Sequence, residues 1–217
     1  RAMYFKDAIK KCEDLKIRRT VEALKKNHIE AFYAKTPEEA VIIFKDLVRE
    51  NSVVTAGGCM TSIELGIVEI LRSGVYNYID RERPGINPEE IQVVQRQAIT
   101  KDYFITCTKK KKKKGELFNI DGNGNRVAAI SYGPKEVIVI AGSNKIVRDA
   151  EEARKRVKEI SAPANAMRLD CNTPCTIDGI CRNCASEKRV CCTEVLTGYQ
   201  RIKNRIKVII VDGDFGF

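Results

Sequence analysis

Segments of helical period alternate along this chain with short runs rich in β-branched residues, which leaves little room for any fold other than helices packed on a sheet. Phe5, Ala8, Ile9 and Cys12, continued by Val21 and Leu24, share one face while Lys and Arg fill the rest. The first 26 residues therefore predict one long amphipathic helix or two in succession. Thr36-Pro37-Glu38-Glu39 and Asn87-Pro88-Glu89-Glu90 each join a capping residue, a first-turn proline and a glutamate placed to close a capping box. The same pattern, with Thr61 and Glu64 as box and Met60 and Leu65 as staple, opens a helix after Gly57-Gly58. Strands are expected at 28–34, 52–56, 76–79 and 103–107. More gather later, at 116–120, 126–131, 136–141, 194–199 and 205–211, with Asp121-Gly122-Asn123-Gly124 as a hairpin turn inside the series. A helix from Asp149 keeps Ala150, Ala153, Val157 and Ile160 on one face and is expected to end near Ala162-Pro163. The expectation is a single α/β domain over residues 1–217, with a helical part at 1–50, a mixed sheet flanked by helices, and a Cys-rich loop at 171–192. In such sheets ligands sit where the strands end.

Charge narrows the function classes. The net charge is +10, but six of the positive charges form one run, Lys109 to Lys114, and the remainder of the chain carries only +4. No aromatic or amide group is interleaved in that run, so nucleic-acid binding ranks last among the readings. No apolar stretch approaches the roughly 18 residues of a membrane helix. The N-terminus enters an amphipathic helix without a signal-peptide pattern, so the expectation is a cytoplasmic protein. A single histidine, His28, excludes mechanisms that need two and speaks against a Ser-His-Asp triad.

Three constellations carry chemistry. Gly57-Gly58, between strand and helix, allows a tight turn and offers backbone N–H groups to a phosphate or carboxylate, with Thr61 and Glu64 just beyond. The segment from Asn119 to Arg126 gathers Asp121, Asn123, Asn125 and Arg126. There a guanidinium can grip an anion and a carboxylate can orient it or act as a base. Six of the nine cysteines lie between Cys171 and Cys192. In a reducing compartment dense cysteine with a Cys-x2-Cys pair reads as metal binding before disulfides, with Cys175, Cys181, Cys184 and Cys191 as ligands. With no histidine nearby, an all-thiolate set suits zinc or an iron–sulfur cluster. Cys12, Cys59 and Cys107 sit among apolar neighbours and read as small buried hydrophobes.

Gly57-Gly58-Cys-Met-Thr61-Ser-Ile-Glu64-Leu-Gly66, Arg72 to Arg81, Asn119 to Ala129, Gly133-Pro134, Gly142-Ser-Asn144-Lys145-Ile146, Ala162 to Ala166 and Thr173-Pro-Cys175 through Cys184 to Cys191 follow one another in order. Together they resemble the lactate-utilisation (LUD) domain family over nearly the whole chain. The resemblance implies a three-layer α/β fold like that of the ribose-5-phosphate isomerase and CoA-transferase group. It also implies a lactate-oxidation context shared with iron–sulfur and flavin proteins. The leading expectation is then a small anionic metabolite held by Gly57, Gly58, Thr61, Asn123, Asn125, Arg126 and Asn144, with Asp121 or Glu64 as general base. The alternative is an accessory electron-transfer or assembly subunit acting through its cysteines. Two departures stand out: six lysines where family members carry a Thr-Asn-Ala-type segment, and Cys192 where they usually have Asn.

Overall fold

A computed structural model describes residues 4–107 and 115–217 together with the backbone of 109–111. The chain opens with α1 (Phe5–Lys26), β1 (Glu30–Ala34), α2 (Pro37–Leu47), β2 (Val53–Ala56), α3 (Met60–Glu64), α4 (Ile67–Arg72) and β3 (Asn77–Ile79). It continues through α5 (Pro88–Gln97), β4 (Tyr103–Thr106), β5 (Lys109–Lys111), β6 (Glu116–Asp121), α6 (Asn125–Ser131), β7 (Glu136–Gly142) and β8 (Ile146–Val147). It closes with α7 (Ala150–Arg156), α8 (Ala162–Arg168), α9 (Cys175–Asp178), β9 (Thr193–Thr197) and β10 (Ile206–Val211).

The expected mixed sheet is two sheets. Six strands in the order β1-β10-β7-β4-β2-β3 form one, with every pairing parallel. Four strands in the order β8-β5-β6-β9 form a smaller one that mixes directions. The period of two along β7 and β10 makes the large sheet the middle of three layers. Val137, Val139, Val208 and Ile210 face a core with Ile17 and Leu24 of α1 and Ala129 and Ile130 of α6. Ile138, Ile140, Ile209 and Val211 face the opposite core, with Ala40 and Phe44 of α2 and Ile67 and Leu71 of α4. Both faces are covered, so these strands read as continuous β-branched runs rather than as alternating ones. A third core, with Phe118, Val147, Ala153, Val157 and Ala162, lies between the small sheet and α7–α8.

Several local expectations change. Residues 126–131 are helix, not the second arm of a hairpin: Gly124 takes a left-handed conformation (φ 80°) and α6 begins at Asn125. The Asp121 carboxylate accepts the Arg126 backbone N–H at 3.0 Å, so the Asp-Gly turn ends in a helix start. The cap of α3 is Cys59, whose sulfur accepts the Ser62 N–H, whereas Thr61 lies within the helix and is buried. The helix from Asp149 does not stop at Pro163. A π turn over 157–161 precedes α8, whose first turn takes the proline, and the extra residue turns Ile160 outward to 48% exposure. Cys12 is exposed on α1, contrary to the reading as a buried hydrophobe, while Cys59 is buried and Cys107 half-buried. His28 sits in a left-handed turn (φ 61°), its Nδ1 donating to the Gln200 carbonyl and its Nε2 beside the Tyr199 hydroxyl. The backbone of Lys109–Lys111 pairs with β6 and β8. Lys112 to Lys114 lie outside the described residues. Among the described residues no helix is long and apolar enough to cross a membrane.

Candidate functional site

In the large sheet the chain runs outward from β2 to β3, then crosses back to β4 and on to β7 and β10. The reversal falls between β2 and β4, and in parallel sheets the crevice beyond the strands at such a point is the natural ligand site. Here the carboxyl ends of β2 and β4 deliver Gly57-Gly58 and Cys107 side by side. The Gly57 N–H donates to Ile105 O at 2.9 Å, and the Cys107 thiol lies 3.8 Å from Gly58 O. A cavity of about 510 Å³ opens at this edge, walled by the β2 turn, the end of β6, the start of α6, and the stretches 161–171 and 187–190.

Of the sequence-predicted residues, Gly58, Asp121, Asn123, Asn125 and Arg126 border the cavity. Gly57 sits behind them: a Cβ there would stand 3.0 Å from the Phe104 ring and 3.2 Å from the Arg126 side chain, so its lack of a side chain is what lets Arg126 cross the β2 turn. The Arg126 guanidinium is largely committed to the protein. It donates to Cys107 O and Asn119 Oδ1, both at 2.9 Å, and to Ile120 O, and its Nε is 3.5 Å from the Asp121 carboxylate. It ties β4, β6 and α6 together at the cavity wall.

Thr61, Glu64 and Asn144 lie beside the cavity rather than in its lining and hold the C-terminal tail. Thr61 Oγ1 donates to Phe215 O at 3.2 Å, Glu64 accepts the Gly216 N–H at 2.7 Å, and Asn144 Nδ2 donates to Gly216 O at 3.3 Å. Gly142 makes room for this, since a Cβ there would meet Gly213 O and Phe215 N, each at 2.8 Å. Glu64 and Asp121, the two expected bases, are therefore not brought together.

Two residues that the sequence motifs contain, but to which they assign no role, stand out. Lys145, in a 3-10 turn just after β7, borders the cavity, is 3% exposed, and donates from Nζ to Thr61 Oγ1 at 2.9 Å. Among the described residues it forms no ion pair. Asn119, also in the wall, spends Oδ1 on Arg126, and its buried Nδ2 has no hydrogen-bond partner among the described residues. A lone lysine in sequence carries no periodic or spacing signal, and only the parallel sheet reveals that this one ends at a ligand edge. Cys59 lies beside it. Burial pushes its thiol well above the ordinary range, the neighbouring Cys107 adds to this, and Ser62 and the Lys145 charge oppose it.

The Cys-rich stretch packs against this site. The Cys192 N–H donates to Asp121 O at 2.9 Å, and Val190 lies over Gly122. Cys175, Cys181, Cys184 and Cys191 line a second, small cavity, while Cys171 borders the large one and Cys192 is exposed. Among the described residues no disulfide joins any of the nine cysteines. Among the described residues no three His, Cys, Asp or Glu groups stand close enough to hold an ion as their side chains are placed.

A parallel-sheet α/β domain with a cavity of mixed polar and apolar lining at its strand ends and a cysteine-rich flank is the class these features define. The chain belongs to the LUD domain family, whose model matches residues 17–211. A DUF162 family protein from Deinococcus radiodurans, known from a crystal structure at 1.70 Å, shares the fold with a TM-score of 0.51 and 15% sequence identity. The match covers 93% of this chain and 98% of that one. No curated protein matches.

Proposed function

We propose that the large cavity binds a small carboxylate- or phosphate-bearing metabolite, and that Lys145 is the cation that receives it. Membership of the LUD domain family supports a role related to lactate utilisation. The observation that carries the binding reading is Lys145, buried at the cavity wall with a hydroxyl and, among the described residues, no carboxylate as partner. A buried charge without a counter-ion costs several kcal/mol, and an anionic ligand removes that penalty. The unpaired Asn119 Nδ2 adds a donor in the same wall. Arg126 then positions the wall, and Asp121, rather than Glu64, is the carboxylate within reach of a bound ligand. L-lactate or pyruvate fits the lactate-oxidation context, with iron–sulfur and flavin proteins as partners in it.

Titration calorimetry with L-lactate, pyruvate, a sugar phosphate and inorganic phosphate tests this. Binding heat with at least one of them, lost in Lys145→Met, is expected. No heat with any of the four, or unchanged heat in the variant, overturns the reading.

A further inference from the structure

Beyond β10 the chain lies against α3 and the turn that follows β7. The Asp212 N–H still donates to Ala34 O at 2.9 Å, and among the described residues no backbone–backbone hydrogen bond follows it. Residues 213–217 are fastened by side chains instead. Ser143 Oγ donates to Gly213 O at 3.3 Å and accepts the Gly213 N–H at 3.0 Å. Thr61 and Asn144 hold Phe215 O and Gly216 O, and the Glu64 carboxylate accepts the Gly216 N–H in a charge-assisted bond of 2.7 Å.

Gly216 is the residue this strap lays against Lys145. Its backbone is left-handed (φ 60°), and a Cβ there would stand 2.7 Å from Lys145 Nζ and 2.9 Å from Thr61 Oγ1. Only a residue without a side chain can sit so close to the ammonium. Phe217, next along, forms part of the wall of the large cavity.

We infer that residues 213–217 are a gate, a strap hinged at Gly213 that closes over Lys145 and swings out to admit an anion to it. The admission step rests on the anion-binding reading above, whereas the closure does not.

The strap is made to open. A segment held by side-chain bonds, with few buried contacts, is among the first parts of a fold to come away. Gly213 (φ 118°) gives the backbone freedom where the ladder of β10 ends. Phe215, half-buried against the core that holds Phe44 and Ile140, is the latch. Opening returns the Lys145 charge to water or to a ligand, which offsets part of the bonds lost. While the strap is closed, the apparent affinity for an anion is lowered by the fraction of molecules that are open.

Trace acetylation of the intact chain with acetic anhydride, read by peptide mass spectrometry, tests the closure without a metabolite. In the wild type Lys145 should react far more slowly than Lys155, which is exposed on α7. Glu64→Ala, at an exposed position, removes the charged anchor, and Gly216→Ala forces the strap away from Lys145. Each should raise the Lys145 rate by about tenfold or more, since a hydrogen bond to a charged group is worth at least that factor, and leave Lys155 unchanged. Calorimetry with L-lactate, pyruvate and inorganic phosphate tests admission: whichever binds the wild type should bind Glu64→Ala more tightly by a similar factor. Hydrogen exchange of the wild type alone supplies a readout free of variants. The bound anion should speed exchange at residues 213–217, where a ligand that merely stabilised the fold would slow it. A Lys145 rate equal to that of Lys155 in the wild type, or raised by neither variant, overturns the gate. So does unchanged affinity in Glu64→Ala, or exchange that anion binding leaves unchanged or slows. Faster labelling in the variants with no anion bound by any of the three proteins supports the closure and overturns the anion reading, and the admission step with it.

Discussion

Replacing Lys145 by Met should stabilise the ligand-free protein and abolish its response to anions. Lys145 is 3% exposed as a residue, and its Nζ donates to the Thr61 hydroxyl at 2.9 Å. Keeping such a charge from water costs several kcal/mol, of which a hydrogen bond from a charged donor returns about 1.5–3 kcal/mol. Met has a similar length and no charge, and Thr61 keeps its bond to Phe215 O. The net gain is about 1–3 kcal/mol, or roughly 2–10 °C in Tm for a chain of this size. Urea denaturation of wild type and variant, each with and without the anion found by calorimetry, separates the two effects. At a hundredfold excess over Kd the ligand should add about 2.7 kcal/mol to the wild type and nothing to the variant. A variant that is less stable without ligand, yet gains as much from the anion as the wild type, would refute both the assignment and the reasoning from burial.

Arg205 is a buried clamp with no carboxylate partner among the described residues, donating to Ala129 O, Ile130 O and Pro134 O at 2.8–3.2 Å. Arg205→Met should cost about 3–5 kcal/mol in chemical denaturation, because three buried carbonyls at the end of α6 lose their donors. Gly142→Ala should displace the tail from Asn144 and Thr61, costing about 1–3 kcal/mol and exposing residues 213–217 to carboxypeptidase, read by mass spectrometry. The raised Cys59 thiol keeps its proton in the fold above the pH at which it ionises in the unfolded chain, about 8.5. The unfolded state therefore binds fewer protons there, and stability falls as pH rises from 8 to 10. Cys59→Ser, which retains the cap of α3, should flatten that decline in denaturation curves.

Much of the fold is legible because the energetics are local. Thr36 and Asn87 cap where their sequences promise, with bonds of 3.2 and 2.8 Å to Glu39 N and Glu90 N. β7 and β10 are runs that only a sheet covered on both faces accepts. What escapes is decided at a distance. Residues 126–131 carry a strand-like composition, but Val127, Ala129 and Ile130 are buried as one helical face of α6. Thr61 has the spacing of a cap and spends its hydroxyl on Phe215, 154 positions away. The four-against-two division of the clustered cysteines is a product of three-dimensional packing. So is Lys145, whose importance lies in the partners it lacks.

That contrast bears on how such a site is built. Arg126 looks like the anion receptor because an arginine among amides is a recognisable pattern, yet its donors close a ring through Cys107, Asn119 and Ile120. A guanidinium used this way fixes geometry: it presents Asn119 with Nδ2 free and holds Asp121 against the start of α6. Lys145, a point charge on a flexible stem, can move a short way to meet a ligand. The rigid cation shapes the wall and the adaptable one meets the ligand. Exchanging them, by Arg126→Lys with Lys145→Arg, should therefore lose binding even though the cavity's charge is unchanged.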